Sequence, residues 1–280
     1  MDMPQTHRQY NARVVPTMNM QRIKKLRPLR LAQALLCRAP LFARRTCVIC
    51  GHHPGAFLSH AQGTASKMME SLGGVGSNLK AFECPWCGCH DRERHIFMYM
   101  TAAGFLPDLS SKHVLHFAPE KRLAPKIQAA SAGRYIRCDL FPQSADVMQV
   151  DMLNIPFDES SFDFLIANHV LEHVSDDAQA LREIARVLKP GGYAILQTPF
   201  CAKLHATWED PGIDTDQARR EAYGQEDHVR LYGGNIFQRF SSFGLSSCVK
   251  THAELLPNVD PDEFGINKEE PFFLFQKQPE

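Results

Sequence analysis

From about residue 92 onward, short apolar runs alternate with amphipathic stretches. H-V-L-H-F-A (113–118) reads as a buried strand, R-Y-I-R-C-D (134–139) as a second and D-V-M-Q-V-D (146–151) as a third. F-D-F-L-I-A-N (162–168) and G-Y-A-I-L-Q-T-P (192–199) read as a fourth and a fifth. Between them lie helical patterns. Residues 92–104 carry Ile96, Phe97, Met100 and Ala103 on one side and close at Gly104. A helix follows Pro119, which suits a first helical position. Residues 176–188 place Ala180, Ile184, Val187 and Leu188 on one face and end at Lys189-Pro190-Gly191-Gly192. Short strands alternating with helices predict βαβ units and an α/β, Rossmann-like doubly wound sheet. Such sheets bind ligands beyond the carboxyl ends of their strands, at the point where strand order reverses.

The segment before residue 92 has a different pattern. Cys47 and Cys50 form C-V-I-C-G, and Cys84 and Cys87 form C-P-W-C-G after 33 intervening residues. Two CxxC-Gly turns present four thiolates to one tetrahedral ion, so Cys47, Cys50, Cys84 and Cys87 are expected to hold a structural Zn²⁺. Gly51 and Gly88 permit the positive φ that such knuckles need. Cys89, His90 and His95 are alternatives for one ligand. A redox CxxC needs only one pair. Nine cysteines, paired CxxC spacing and no apolar leader point to a reduced, cytoplasmic compartment rather than a disulfide framework.

Charge divides the chain again. Residues 1–50 hold ten Lys/Arg and one acid, and the remainder holds 21 Lys/Arg and 30 Asp/Glu, so a formal charge of zero conceals a basic arm on an acidic body. Within the arm a helix is expected to start near Arg27, with Pro28 in its first turn and Leu29, Ala32 and Leu36 on one face beside Leu35. A peripheral membrane surface, RNA, an organellar transit signal and a solvated arm all fit that pattern. The runs around Leu35-Leu36 and Phe272-Phe273-Leu274-Phe275 fall far short of the ~20 residues of a membrane span. The expected organisation is an arm (1–45), a zinc-ribbon-like module (46–91) and an α/β domain (92–280) with an insertion at 203–233.

The strand ends carry the candidate chemistry. The first gives Phe117-Ala118-Pro119-Glu120 after His116. The second gives Asp139, at about the ~20-residue spacing that brings an acid to ribose hydroxyls. The third gives Asp151-Met152, and the fourth Asn168-His169 followed by V-L-E-H-V. The chain has no phosphate-cradling GxxxxGK[ST], and no GxGxxG follows the first strand. Residues 113–200, with L-E-H-V after the fourth strand and L-K-P-G-G before the fifth, resemble the class I S-adenosylmethionine-dependent methyltransferases of the type 11 branch. The resemblance implies a seven-stranded, mostly parallel sheet and S-adenosylmethionine as cofactor. It implies that Asp139, with Leu140 beside it, binds the ribose and that Asp151 and Met152 hold the adenine. It also implies that Asn168 and His169 flank the methionine part. The family's Gly-rich first loop is replaced here by His116, Phe117, Ala118, Pro119 and Glu120, and Glu120 is expected to supply the missing carboxylate.

A hydroxyl acceptor also needs a base or a metal. The polar insertion, with W-E-D-P (208–211) and G-Q-E-D-H-V-R-L-Y-G-G (224–234), offers His228 as base, oriented by Asp227 or Asp210. Packing of the insertion by His228, Arg230 and Tyr232 is the alternative. Glu172-His173 is a second pair, which would otherwise brace the following helix. A-N-H-V in place of N-P-P-Y disfavours base-amino methylation. The expected acceptor is a hydroxyl of a small molecule or sugar. The alternatives are rRNA or tRNA, and a non-catalytic zinc-ribbon protein with a vestigial methyltransferase fold.

Overall fold

The strand-like runs pair side by side. A computed structural model describes residues 20–39, 45–61, 66–131 and 133–279, with side chains from residue 28 onward. The arm before residue 20, including Met18, lies outside the described residues. Strands β1 (Val114–Phe117), β2 (Tyr135–Asp139), β3 (Met148–Gln149), β4 (Phe162–Ala167), β5 (Leu188–Ile195), β6 (Leu245–Ser247) and β7 (Leu274–Lys277) form one sheet in the order β3-β2-β1-β4-β5-β7-β6. The first five run parallel. Only β7 is antiparallel to its neighbours, pairing Phe275 with Ala194 and with Ser247. The expected seven-stranded α/β fold is therefore present. The two strands not read from the sequence are β6, three residues long, and β7, part of the Phe272–Phe275 run.

Both faces of the sheet are covered, so the central strands are nearly continuous apolar runs. Along β1 and β4, successive side chains point to opposite faces. Leu115, Phe117, Leu165 and Ala167 share a core with Leu181 and Ile184 of α4 (Asp177–Val187) and with Phe240 of α6 (Ile236–Ser241). Val114, Phe164 and Ile166 join Ile96 and Met100 of α2 (Asp91–Ala102), Ile127 of α3 (Ala124–Ala130) and the thiols of Cys47, Cys84 and Cys89. The cysteine knuckles thus continue the core of one sheet face.

Three expected boundaries move. The chain turns through residues 121–123 after Pro119, and Pro125 rather than Pro119 occupies the first turn of α3. The fifth strand begins at Leu188, with no loop after α4, and Lys189-Pro190-Gly191-Gly192 is absorbed as an irregularity in its pairing with β4. Gly191 takes the positive φ there. In the arm, α1 (Met20–Arg38) starts before Arg27 and carries Pro28 inside. Its end is held by Arg30 on Glu83 at 2.6 Å, and by Arg38, which donates to the Pro85 carbonyl and stacks over Trp86. Leu29, Leu31, Leu35 and Leu36 are exposed. No helix of the described residues is long and apolar enough to cross a membrane.

The segment between the knuckles crosses to the far side of the domain. Gly74–Val75 pairs antiparallel with Phe200–Cys201, which pairs in parallel with Tyr232–Gly233 of the insertion. Met69 packs against Tyr223, Leu231 and α5 (Asp216–Tyr223). Gly224, at φ +92°, leaves room for the Met69 sulfur, which a Cβ would approach to 2.4 Å. Arg94 clasps the assembly. It is fully buried and donates to the carbonyls of Ala81, Phe82, Cys89, Phe264 and Gly265, with its guanidinium over the Phe57 ring.

Candidate active site and cysteine cluster

Strand order reverses between β1 and β4, and the polar residues predicted for the site gather at their carboxyl ends. His116 is buried in β1, with Nδ1 2.8 Å from the Tyr135 hydroxyl and Nε2 3.1 Å from Glu120 Oε2. The other Glu120 oxygen accepts from Asn168 Nδ2 across the gap to β4. Burial works against the charge on Glu120, but His116 and Arg92 outweigh it and hold the carboxyl below its usual range. Glu93, at the start of α2, accepts the backbone N–H groups of Arg122 and Leu123 and so fixes the turn after this loop. Ala118 and His169 both adopt left-handed backbone, at φ +45° and +56°. That conformation is costly for a residue with a Cβ and collects at ligand sites.

Neighbouring strand ends supply further candidates. Asp139 ends β2, its Oδ1 accepting from Phe141 N, and Leu140 beside it is exposed. Asp151 is exposed and accepts from Leu153 N, whereas Met152 is buried. The described structure therefore brings His116, Glu120 and Asn168 into contact, and His169 follows Asn168 in the chain. Asp139 and Asp151 stand at the ends of the next two strands.

Behind this group runs a buried chain of imidazoles and carboxylates. His169 lies 3.2 Å from Glu172 and 3.8 Å from Glu270. Burial opposes its charge, yet the two carboxylates raise its pKa to about 9. Glu172 is correspondingly held down at about 2 against the effect of its own burial. Glu270 also meets His95 at 3.4 Å, and His95 meets His252 at 3.4 Å. Neither Glu270 nor Arg92, whose buried Nε has no hydrogen-bond partner, stood out in the sequence. Both lie outside the strand ends, where topology directs attention, and only the fold aims them inward.

The insertion docks onto the turn after β4. Val229 N donates to the Glu172 carbonyl, and Arg230 donates to the carbonyls of Leu171, Val174 and Ser175. Tyr232 and Arg239 converge on Asp177 at the start of α4, and Glu209 bridges Arg230 and Arg239. Arg230 and Tyr232 thus anchor the insertion. His228 is buried, its Nδ1 3.0 Å from the Tyr223 carbonyl, and burial lowers its pKa. The expected orientation by Asp227 or Asp210 is not what the contacts give. Asp227 pairs with His173 at 3.2 Å, and Asp210 Oδ1 accepts from Gly212 N, closing the short turn at 210–213, while the Asp210 backbone N–H donates to the Tyr223 hydroxyl. Nor do Glu172 and His173 cap α4, since Asp176 does so by accepting from Gln179 N.

The sulfurs of Cys47, Cys50, Cys84 and Cys87 lie within 4.8 Å of one another. Gly51 and Gly88 take φ of +75° and +73°, and each donates its N–H to the first cysteine carbonyl of its knuckle. Cys89 lies 3.4 Å from Cys47 but outside that mutual set. His90 instead stacks on Phe82. The Cys47 sulfur pulls the Cys87 thiol down to about 6, while burial pushes Cys50 up to about 11. Four cysteine sulfurs at this spacing could hold one tetrahedral ion.

Residues 110–196 match the methyltransferase domain family of type 11. The bifunctional biotin biosynthesis protein of Cellvibrio japonicus is 44% identical over 57 residues, 20% of this chain and 11% of that protein. The demethylmenaquinone methyltransferase of Staphylococcus epidermidis is 40% identical over 53 residues, 19% of this chain and 22% of that protein. The chain therefore covers less than a quarter of the length of either relative. Among solved structures, the YcgJ protein of Bacillus subtilis is 18% identical at a TM-score of 0.41, covering 66% of this chain and 99% of that one. Residues 110–196 form a class I S-adenosylmethionine-dependent methyltransferase domain.

Proposed function

We propose that the chain transfers a methyl group from S-adenosylmethionine to a hydroxyl of a small molecule or sugar. The observation that carries this reading is the cluster at the strand-order reversal, where Glu120 joins His116 to Asn168. When bound, the cofactor supplies an electrophilic methyl on a cationic sulfonium. Asp139, with Leu140, is assigned the ribose diol, since an ionised carboxylate can accept from both hydroxyls. Asp151 and Met152 are assigned the adenine. Glu120, whose carboxyl is held below its usual range, is assigned the methionine ammonium. The left-handed turns at Ala118 and His169 let the backbone approach closely. His228, its pKa lowered by burial, has an uncommitted Nε2, the atom through which a neutral imidazole of this tautomer accepts a proton or a cation. Structural zinc on Cys47, Cys50, Cys84 and Cys87 completes the assignment, its fit supported by the four clustered sulfurs. The arm (1–45), module (46–91) and body (92–280) are kept as functional divisions.

Calorimetry with S-adenosylmethionine tests the first half. Asp139→Ala is expected to weaken binding roughly tenfold or more, the worth of charge-assisted hydrogen bonds. Unchanged affinity in Glu120→Gln would remove that residue from the assignment. Labelled methyl transfer onto sugars, hydroxylated metabolites, demethylmenaquinone and RNA tests the second half. Label on a hydroxyl is expected. Label on RNA bases or on the quinone overturns the acceptor class, and absence of cofactor binding by the folded chain overturns the enzyme.

A further inference from the structure

We propose that Glu172, His173 and His228 form a second metal site, for a divalent transition ion of the zinc type, separate from the cysteine cluster. One ligand atom from each of the three lies within 4.8 Å of the others. Glu172 and His228 are buried, at 2% and 3% exposure, and His173 is half-buried. Glu172 Oε2 accepts no hydrogen bond, and His228 Nε2 has no partner. Oε1 of Glu172 has the ion-pair contact with His169, which leaves Oε2 uncommitted. Buried polar atoms are rarely left this way, and each asks for a ligand.

The tautomers point to the same ligand. The Tyr223 carbonyl can only accept, so His228 Nδ1 carries the proton and Nε2 the lone pair. His173 repeats the pattern, with Nδ1 on the Asp227 carboxylate and Nε2 on the side of Glu172, 4.0 Å from Oε1. A histidine that ligates a metal through one nitrogen and donates from the other to a carbonyl or carboxylate is the usual arrangement around such ions. The geometry is also held in place. Glu172 and His173 sit on the turn after β4, and His228 is brought to them by the insertion, which Val229 and Arg230 fasten to that turn.

Two imidazoles and one carboxylate select a borderline ion over the hard Mg²⁺. Three protein ligands leave a fourth position open. An oxygen ligand there loses its proton to solvent at lower pH than when free. Use of that position to activate an acceptor hydroxyl rests on the reading above, whereas the metal site itself stands on its geometry.

The test uses the full chain dialysed against Zn²⁺ alone. Elemental analysis should return two zinc ions per chain, and X-ray absorption at the zinc edge should return a mixture of sulfur and nitrogen/oxygen ligands. Glu172→Gln and His228→Ala should each retain one zinc with sulfur ligands only. Asp227 is exposed, so Asp227→Asn leaves the fold intact and should weaken the second ion by roughly 10- to 100-fold in competition with a chromogenic chelator. A wild-type chain whose zinc is bound by sulfur alone overturns the site. Two ions of unchanged affinity in all three variants overturn it equally. Calorimetry with S-adenosylmethionine on the same samples reads the methyltransferase assignment independently.

Discussion

At Ala118 the family's usual loop glycine is absent, yet the backbone keeps the left-handed turn that a glycine would favour, at φ +45°. Alanine is the smallest side chain that pays this cost, and a branched one would not be tolerated. Ala118→Val is expected to destabilise the fold by about 1–3 kcal/mol, the range for a strained backbone position. Urea denaturation measures that loss, and calorimetry should show weaker cofactor binding alongside it. The residue scale was also where the sequence was most informative. His116, Glu120 and Asn168 each belong to a strand end, and they meet in space because topology dictates where those ends go. Adjacency in sequence says little about orientation in an insertion, as Asp227 shows. It is next to His228 in the chain, but its carboxylate turns to His173.

The N-terminus of α4 shows how an element can be secured from a distance. Asp177 is buried, accepts from Tyr232 and makes a two-pronged pair with Arg239. Burial disfavours its charge, but Arg239, Arg230 and Tyr232 hold its pKa below the usual aspartate value. A lowered folded-state pKa contributes stability above the unfolded value of about 3.9 and loses it as pH falls through the folded one. The wild type should therefore lose stability below roughly pH 4, and Asp177→Asn should flatten that limb. Because Asp177→Ala leaves Arg230 and Arg239 without their buried partner, it should cost about 3–5 kcal/mol in chemical denaturation. The helix itself is legible from its apolar face, whereas its Asp176 cap is seen only in the structure. Its tether is not legible either, because Arg239 lies 62 residues away and no local pattern encodes the pair. For the same reason β6 escaped notice, since three residues of L-S-S gain strand character only from pairing with β7.

At the scale of the whole molecule, the paired cysteines predict a small module, and the structure continues the core of one sheet face through them. Cys47, Cys84 and Cys89 share contacts with Ile96, Met100, Val114 and Phe164, and the strand at 74–75 belongs to the insertion's small sheet. Chelating the zinc assigned to the four cysteines should accordingly lower the Tm of a single cooperative transition. A separate melting of residues 46–91, with the body unaffected, would contradict the shared core. Calorimetric scans with and without chelator distinguish the two. Amphipathic periodicity had no means of anticipating this, because it reports that a face is apolar without reporting what covers it. Arg94 extends the point from space to time. Its guanidinium is satisfied partly by the knuckle carbonyls and partly by Gly265, which is 171 positions later. On a ribosome adding about 5–20 residues per second, those partners arrive roughly ten to thirty seconds after the arginine. The segment around Arg94 is thus completed late, and a nascent chain interrupted before residue 264 carries a cation prepared for burial with two of its five carbonyl acceptors, those of Phe264 and Gly265, still unmade.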